Sequence, residues 1–116
     1  MRHLLHLRQE PFQQISSGQK TIELRLYDRK RQKIAVGDEL CFMLEDQEDR
    51  TLTARVTALH RFDSFKDLYE NLPLDQCGYD EESMGAASWH DMEEYYPLDI
   101  QKHYGVLGIE FELERE

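Results

Sequence analysis

With 116 residues, 40% of them apolar and 33% charged, the chain is long enough to enclose one hydrophobic core and too short for two. It has no apolar run of the roughly 18 residues a membrane helix needs, and Met1-Arg2-His3-Leu4-Leu5 lacks the apolar length of a signal peptide, so a soluble cytoplasmic single domain over residues 1–116, with no membrane partner, is expected. The net charge of −10 argues against a long polyanion as partner, because an acidic surface repels phosphate.

His3 to Leu7 alternates loosely and is expected as a first strand. Pro11 suits the first turn of a short helix with Phe12 and Ile15 facing inward, and Gly18 supplies its left-handed stop. The period then changes to two. Ile22, Leu24 and Leu26 alternate with Thr21, Glu23, Arg25 and Tyr27, which predicts a strand with one apolar and one polar face. A pleated strand points Glu23 and Arg25 the same way, roughly 7 Å apart, with Lys20 at the strand's start. The basic run that follows has no apolar periodicity and predicts a loop or single turn ending near Lys33, then a turn at Gly37-Asp38.

Glu39 to Leu44 is apolar on both faces, as in a strand covered on both sides, and a central place in the sheet is expected. Glu45 to Arg50 predicts an acidic hairpin loop, and Thr51 to His60 alternates cleanly as the next strand. Ser64 caps a helix reaching Leu72, with Phe65, Leu68, Tyr69 and Leu72 on one face and Pro73 at its end. From Leu74 to Ser88 the pattern is poor and predicts a loop with at most one irregular helix. A second Ser-x-x-Asp, Ser88 to Asp91, opens a helix carrying Met92 and Tyr95 and stopped by Pro97. Tyr104 to Leu113 closes the domain as a strand, with Leu107, Ile109, Phe111 and Leu113 inward and Gly105 and Gly108 permitting the bend or bulge of barrel closure. Five strands and two or three helices without a repeated βαβ unit define an α+β domain around a small barrel.

Residues 20 to 33 hold six cations against two carboxylates, a local balance of +4 that leaves −14 for the remainder. This basic spot is either an ordinary solvated loop or one wall of the mouth that Glu23 and Arg25 line. Lys20 suits a phosphate or carbonyl anchor, or a base where buried, against the plain alternative of a solvated lysine after a turn. Glu23 and Arg25 form either a surface ion pair of little energetic value or, in a cavity, a pair that orients a base edge. Tyr27, Trp89, Tyr95, Tyr96 and Tyr104 are candidate stacking residues, of which one or two are expected as contacts, Tyr96 first because it lies beside Pro97 at a helix end. Cys41 and Cys77 are expected as buried free thiols. The five histidines show no ligand spacing, and no Gly-rich phosphate loop or nucleophile elbow is present, so neither metal nor cofactor is expected. The oligomeric state stays open.

Gly18-x-Lys20-x-x-Glu23-x-Arg25 resembles the GxKxxExR signature of ASCH domains, and Leu26-Tyr27-Asp28, Lys30-Arg31, Val36-Gly37-Asp38, Tyr95-Tyr96 and Tyr104-Gly105-Val106-Leu107-Gly108-Ile109 extend the resemblance over nearly the whole chain. The resemblance implies a PUA-like β-barrel of about five or six mixed strands with two or three short helices. It also implies binding of RNA or a nucleotide or nucleoside. The ligand-binding set expected from the signature strand, the basic spot and the aromatics is Lys20, Glu23, Arg25, Tyr27, Lys30, Arg31 and Tyr96, with Lys20, Arg25 and Lys30 meeting phosphate and Glu23 and an aromatic meeting the base. One branch of the family resembles an amidohydrolase that removes acetyl groups from N4-acetylcytidine through lysine, threonine and glutamate. Carried over, the lysine is Lys20 and the glutamate Glu81, with Glu82 an equal candidate. The threonine position is held by Glu23, with Thr21 the neighbouring hydroxyl on the same strand face. A carboxylate cannot act as a hydroxyl, which leaves open Glu23 as general base on water and Lys20 as oxyanion stabiliser. A third reading is an acidic protein-interaction module without a small-molecule site.

Overall fold

The first strand, β1 (Arg2–Leu7), buries every second residue, His3, Leu5 and Leu7, as its alternation requires. Helix α1 (Gln9–Ser17) turns Phe12 and Ile15 inward and ends at Gly18, whose φ of 88° is left-handed and whose N–H donates to Ile15 O. The signature strand follows as β2 (Ile22–Leu26), and the basic run contains a single 3-10 turn, Arg31–Lys33. Then come β3 (Glu39–Leu44), β4 (Gln47–Phe62), α2 (Phe65–Asn71), α3 (Leu98–Tyr104) and β5 (Val106–Leu113). This computed structural model describes residues 1–114; the last two residues of the expected domain, Arg115 and Glu116, lie outside the described residues.

The sheet order is β1-β3-β4-β5-β2, with β1 and β3 parallel and the other pairs antiparallel. The fold is α+β, and the sheet curls into a half-barrel whose edges, β1 and β2, face each other across an unpaired seam. One apolar cluster fills the concave side, with Leu5, Phe12, Ile15, Phe42, Val56, Ile109 and Phe111 among its members. A second lies on the other side of β2, where Ile22, Leu24 and Leu26 pack with Val106 against Phe65 and Leu68 of α2. Ser64 Oγ accepts the Asp67 N–H at 3.2 Å and caps that helix as expected.

Several expectations are corrected by the tertiary structure. Strand β3 is interior and covered on both faces, but β4 holds the middle of the sheet. The acidic hairpin loop gives way to a turn at Glu45-Asp46 and a strand that already begins at Gln47, which pairs with Leu44 before the register shifts and Thr51 meets Met43. The register shift between β4 and β5 falls at Val56/Ala58 rather than at a glycine. Gly108 instead makes room for Leu72, the residue that follows α2, since a Cβ there would stand 2.7 Å from Leu72 Cδ1. Ser88 and Asp91 form the expected reciprocal cap, but the element they open, Trp89–Glu94, is a 3-10 helix. Pro97 both ends that stretch and begins α3, its fixed φ suiting a helix start, so Tyr104 belongs to a helix and not to the last strand. Gln101, fully buried, fastens α3 by accepting the Phe65 N–H at 3.3 Å and donating to Tyr96 O at 2.8 Å.

Candidate functional site

The glycine that stops α1 sends the chain straight into the site. Lys20 N–H donates to Gln14 O at 3.0 Å and Thr21 N–H to Gln76 O at 2.8 Å, so the segment between α1 and β2 is pinned on both flanks. Glu23 and Arg25 then lie opposite Ile109 and Leu107 of β5, which places them on the concave face of the half-barrel, at its seam.

There the three motif side chains close on one another. Lys20 Nζ stands 2.8 Å from Glu23 Oε1, and Arg25 donates to Oε2 from Nε at 3.0 Å and from Nη2 at 2.8 Å. Arg25 Nη2 also donates to His6 O at 2.8 Å, so its side chain bridges the seam from β2 to β1. The side chains of Lys20, Glu23 and Arg25 are 10%, 5% and 13% exposed, so these are sheltered charges. Burial alone would raise the Glu23 carboxyl; the adjacent charges and hydrogen bonds of Lys20 and Arg25 outweigh it and hold the group at about 2. Burial works against the Arg25 charge, and Glu23 reverses this, raising Arg25 further.

Above the triad opens a cleft of about 480 Å³, within the general range of about 300–1,000 Å³ for small-ligand sites. One side is built from the end of β1 and from α1, with His6, Arg8, Glu10 and Gln14. Tyr69, Tyr79, Tyr95 and Tyr96 supply aromatic lining, with Cys77, Met92 and the backbone of Gly78 between them. At the rim the Arg8 guanidinium lies 5.1 Å from the centre of the Tyr95 ring. The lining cations Arg8, Lys20 and Arg25 are matched by Glu10, Glu23 and Glu45.

The triad's available chemistry is hydrogen-bond donation, and the tyrosines offer stacking faces. Lys20 has three N–H donors and uses one on Glu23, and Arg25 Nη1 makes no hydrogen bond among the described residues. Glu23 is a poor proton acceptor at neutral pH, having both oxygens engaged and a pKa of about 2. Burial pushes the Cys77 thiol up to about 12, which makes it inert as a nucleophile. No group of three or more His, Cys, Asp or Glu among the described residues is arranged to hold a metal ion, and no helix among them is long and apolar enough to cross a membrane.

The family profile described as ASCH domain matches residues 5–115. The chain belongs to the ASCH domain family. Its fold is similar to the crystal structure of the hypothetical protein PH0355, with a TM-score of 0.79 and 29% identity over 98% of this chain and 100% of that one. It is also similar to the solution structure of protein PF0455 from Pyrococcus furiosus, with a TM-score of 0.70 and 29% identity over 100% of both chains. The crystal structure of ASCH from Zymomonas mobilis shares the fold at a TM-score of 0.66 and 14% identity, covering 94% of this chain and 65% of that one. No curated protein sequence matches the chain.

Of the candidate residues in this ASCH domain, Lys20, Glu23, Arg25 and Tyr96 meet at the cleft, together with Tyr95. Tyr27 does not line it; its ring lies under the Arg61 guanidinium at 4.3 Å and packs on the concave core. Lys30 is exposed away from the lining, and Arg31 is tied to Asp28 at 2.8 Å. The Thr21 hydroxyl turns from the Glu23 side to donate to Gln76 Oε1 at 3.1 Å, and Thr21 lines a separate hollow of about 330 Å³. Glu81 and Glu82 are exposed and outside the cleft lining. Trp89 stacks on His90, ring centres 3.7 Å apart, and Tyr104 is exposed beside His103. Sequence reasoning missed Arg8, Tyr69 and Tyr79 as cleft residues. Tyr69 carried the signal of a core position in α2, and Tyr79 sits in a stretch without periodicity, so only the folded contacts reveal them.

Proposed function

We propose that this ASCH domain binds a nucleoside or a single nucleotide, with ligand oxygens on Lys20 and Arg25 and the base against the tyrosines. The observation that carries the reading is the sheltered Lys20–Glu23–Arg25 triad at the bottom of an open cleft with four tyrosines in its lining. The triad keeps a net positive charge and spare donors, which suits carbonyl and phosphate oxygens. Size and charge favour a small ligand over a long RNA. The cleft lining is charge-balanced, Glu10 and Glu45 belong to it, and the exposed basic residues Arg29, Lys30 and Lys33 lie outside it. RNA would engage the cleft through an end or an unpaired nucleotide. The amidohydrolase alternative has weaker support, since Glu23 is a poor base and neither Thr21 nor Glu81 lines the cleft. An open cleft also weighs against a pure protein-interaction module.

Equilibrium dialysis with the four ribonucleosides, their 5′-monophosphates and a short single-stranded RNA tests the reading. Arg25→Ala keeps Glu23 paired with Lys20 and is expected to weaken binding about ten- to a hundredfold, the value of one or two charge-assisted hydrogen bonds. Lys30→Ala is expected to leave it unchanged. Equal binding by wild type and folded Arg25→Ala, or no binding of any probe, would remove the proposal.

A further inference from the structure

Two phenols of the cleft belong to a hydrogen-bonded chain that ends on a carboxylate. Tyr79 Oη donates to Asp91 Oδ2 at 2.7 Å, and Tyr69 Oη lies 2.7 Å from Tyr79 Oη. Asp91 is fixed in turn, since the same Oδ2 accepts the Ser88 N–H at 3.3 Å in the reciprocal cap of the Trp89–Glu94 turn. A phenol has one proton and a carboxylate has none to give. The Tyr79 proton is therefore committed to Asp91, and the Tyr69 proton to Tyr79. Tyr69 Oη is left with lone pairs only. Burial pushes the Tyr69 phenol up to about 12 and raises Tyr79 as well, so both keep their protons at neutral pH and the chain keeps its direction. Lys20 and Arg25 line the same cleft and can only donate.

We propose that Tyr69 is a specificity-determining residue of the cleft, an obligate hydrogen-bond acceptor polarised by Asp91 through Tyr79, and that the site prefers bases with an exocyclic amino group to oxo bases of the same shape. The inference rests on the nucleoside reading above. An amino group donates to Tyr69 Oη while a ring or carbonyl acceptor of the same base meets Lys20 or Arg25. An oxo group in the amino position meets only lone pairs, and two acceptors are then desolvated without a shared proton. Such pairing contacts discriminate by about 1–3 kcal/mol, or roughly 5- to 150-fold.

The test compares dissociation constants for cytidine against uridine and for adenosine against inosine, in wild type, Tyr69→Phe and Tyr79→Phe. Wild type is expected to favour the amino member of each pair by at least about fivefold, and Tyr69→Phe to lose that preference. Tyr79→Phe frees the Tyr69 proton to rotate into the cleft, so the oxo members gain and the preference shrinks or inverts while the Tyr69 contact remains. A merely structural Tyr79 would weaken both members of a pair alike. Nucleoside binding without an amino preference, or with a preference unchanged in Tyr79→Phe, overturns this inference and leaves the nucleoside reading standing. Absence of binding by all four nucleosides to folded protein overturns both.

Discussion

The two faces of β2 come from alternate residues of one five-residue strand, and both are buried, by opposite means. On the convex side Ile22, Leu24 and Leu26 lie under Phe65 and Leu68, held by apolar contact that has no preferred direction. On the concave side Glu23 and Arg25, with Lys20 before them, are held by charge and directed hydrogen bonds at an unclosed seam. An apolar face tolerates gradual change, because losing a methylene loses one increment of transfer energy. An ionic face does not, because removing its shared member, Glu23, leaves two sheltered cations without compensation. The same arrangement explains why the ionic face can serve a ligand. Its donors outnumber the acceptors inside the triad, and the triad lines the cleft.

Three changes would separate these two modes of burial. The largest effect is expected from Glu23→Ala, which leaves Lys20 and Arg25 as sheltered like charges; breaking a buried pair in this way costs about 3–5 kcal/mol, readable from urea denaturation at pH 7. A cost near zero would mean that the triad is solvated in solution and that the contrast between the faces is false.

Acidification comes next. The Glu23 carboxyl drops from 4.5 unfolded to about 2 folded, so its stabilisation is fully present above about pH 4.5 and is lost as pH falls toward about 2. The loss amounts to about 3 kcal/mol for this group. It is checked by comparing the pH dependence of wild type with that of Glu23→Gln, in which this share of the acid limb is absent. Identical acid limbs would assign acid unfolding to other carboxylates.

The smallest of the three is Leu24→Ala on the convex face, expected to cost about 2 kcal/mol, the lower end for a buried leucine. Its cost is expected to be the same at pH 7 and pH 4, since no charge is involved. A pH-dependent cost would mean that the two faces are coupled through the strand.

Much of the scaffold was legible in the chain because local rules and tertiary needs agree there. Gly18 stops α1, Ser64 caps α2, and the alternation through β2 and β5 puts Leu24 and Ile109 into apolar clusters and Glu23 beside Arg25. Legibility fails where one residue serves two elements or where backbone alone decides. Pro97 reads as a stop and is also a start, and Gln47 to Arg50 belong to β4 without any apolar pattern. The candidate site divides in the same way. Lys20, Glu23 and Arg25 stand within six residues and announce themselves by type and spacing. The basic run beside them, more conspicuous in sequence, lies outside the cleft because Arg31 folds back on Asp28 while Arg29, Lys30 and Lys33 face solvent.

By itself, the sequence determined the family, the alternation of β1, β2 and β5 and the identity of the ionic triad, since these depend on residues close together in the chain. Tertiary structure alone decided that the ionic face of β2 turns toward the inside of the half-barrel, that the seam between β1 and β2 stays open there, and that Arg8, Tyr69 and Tyr79 join its lining. Those outcomes depend on pairings between residues a dozen or more positions apart, such as Arg25 with His6, 19 apart, and Tyr79 with Asp91, 12 apart, and no local periodicity encodes which segment arrives.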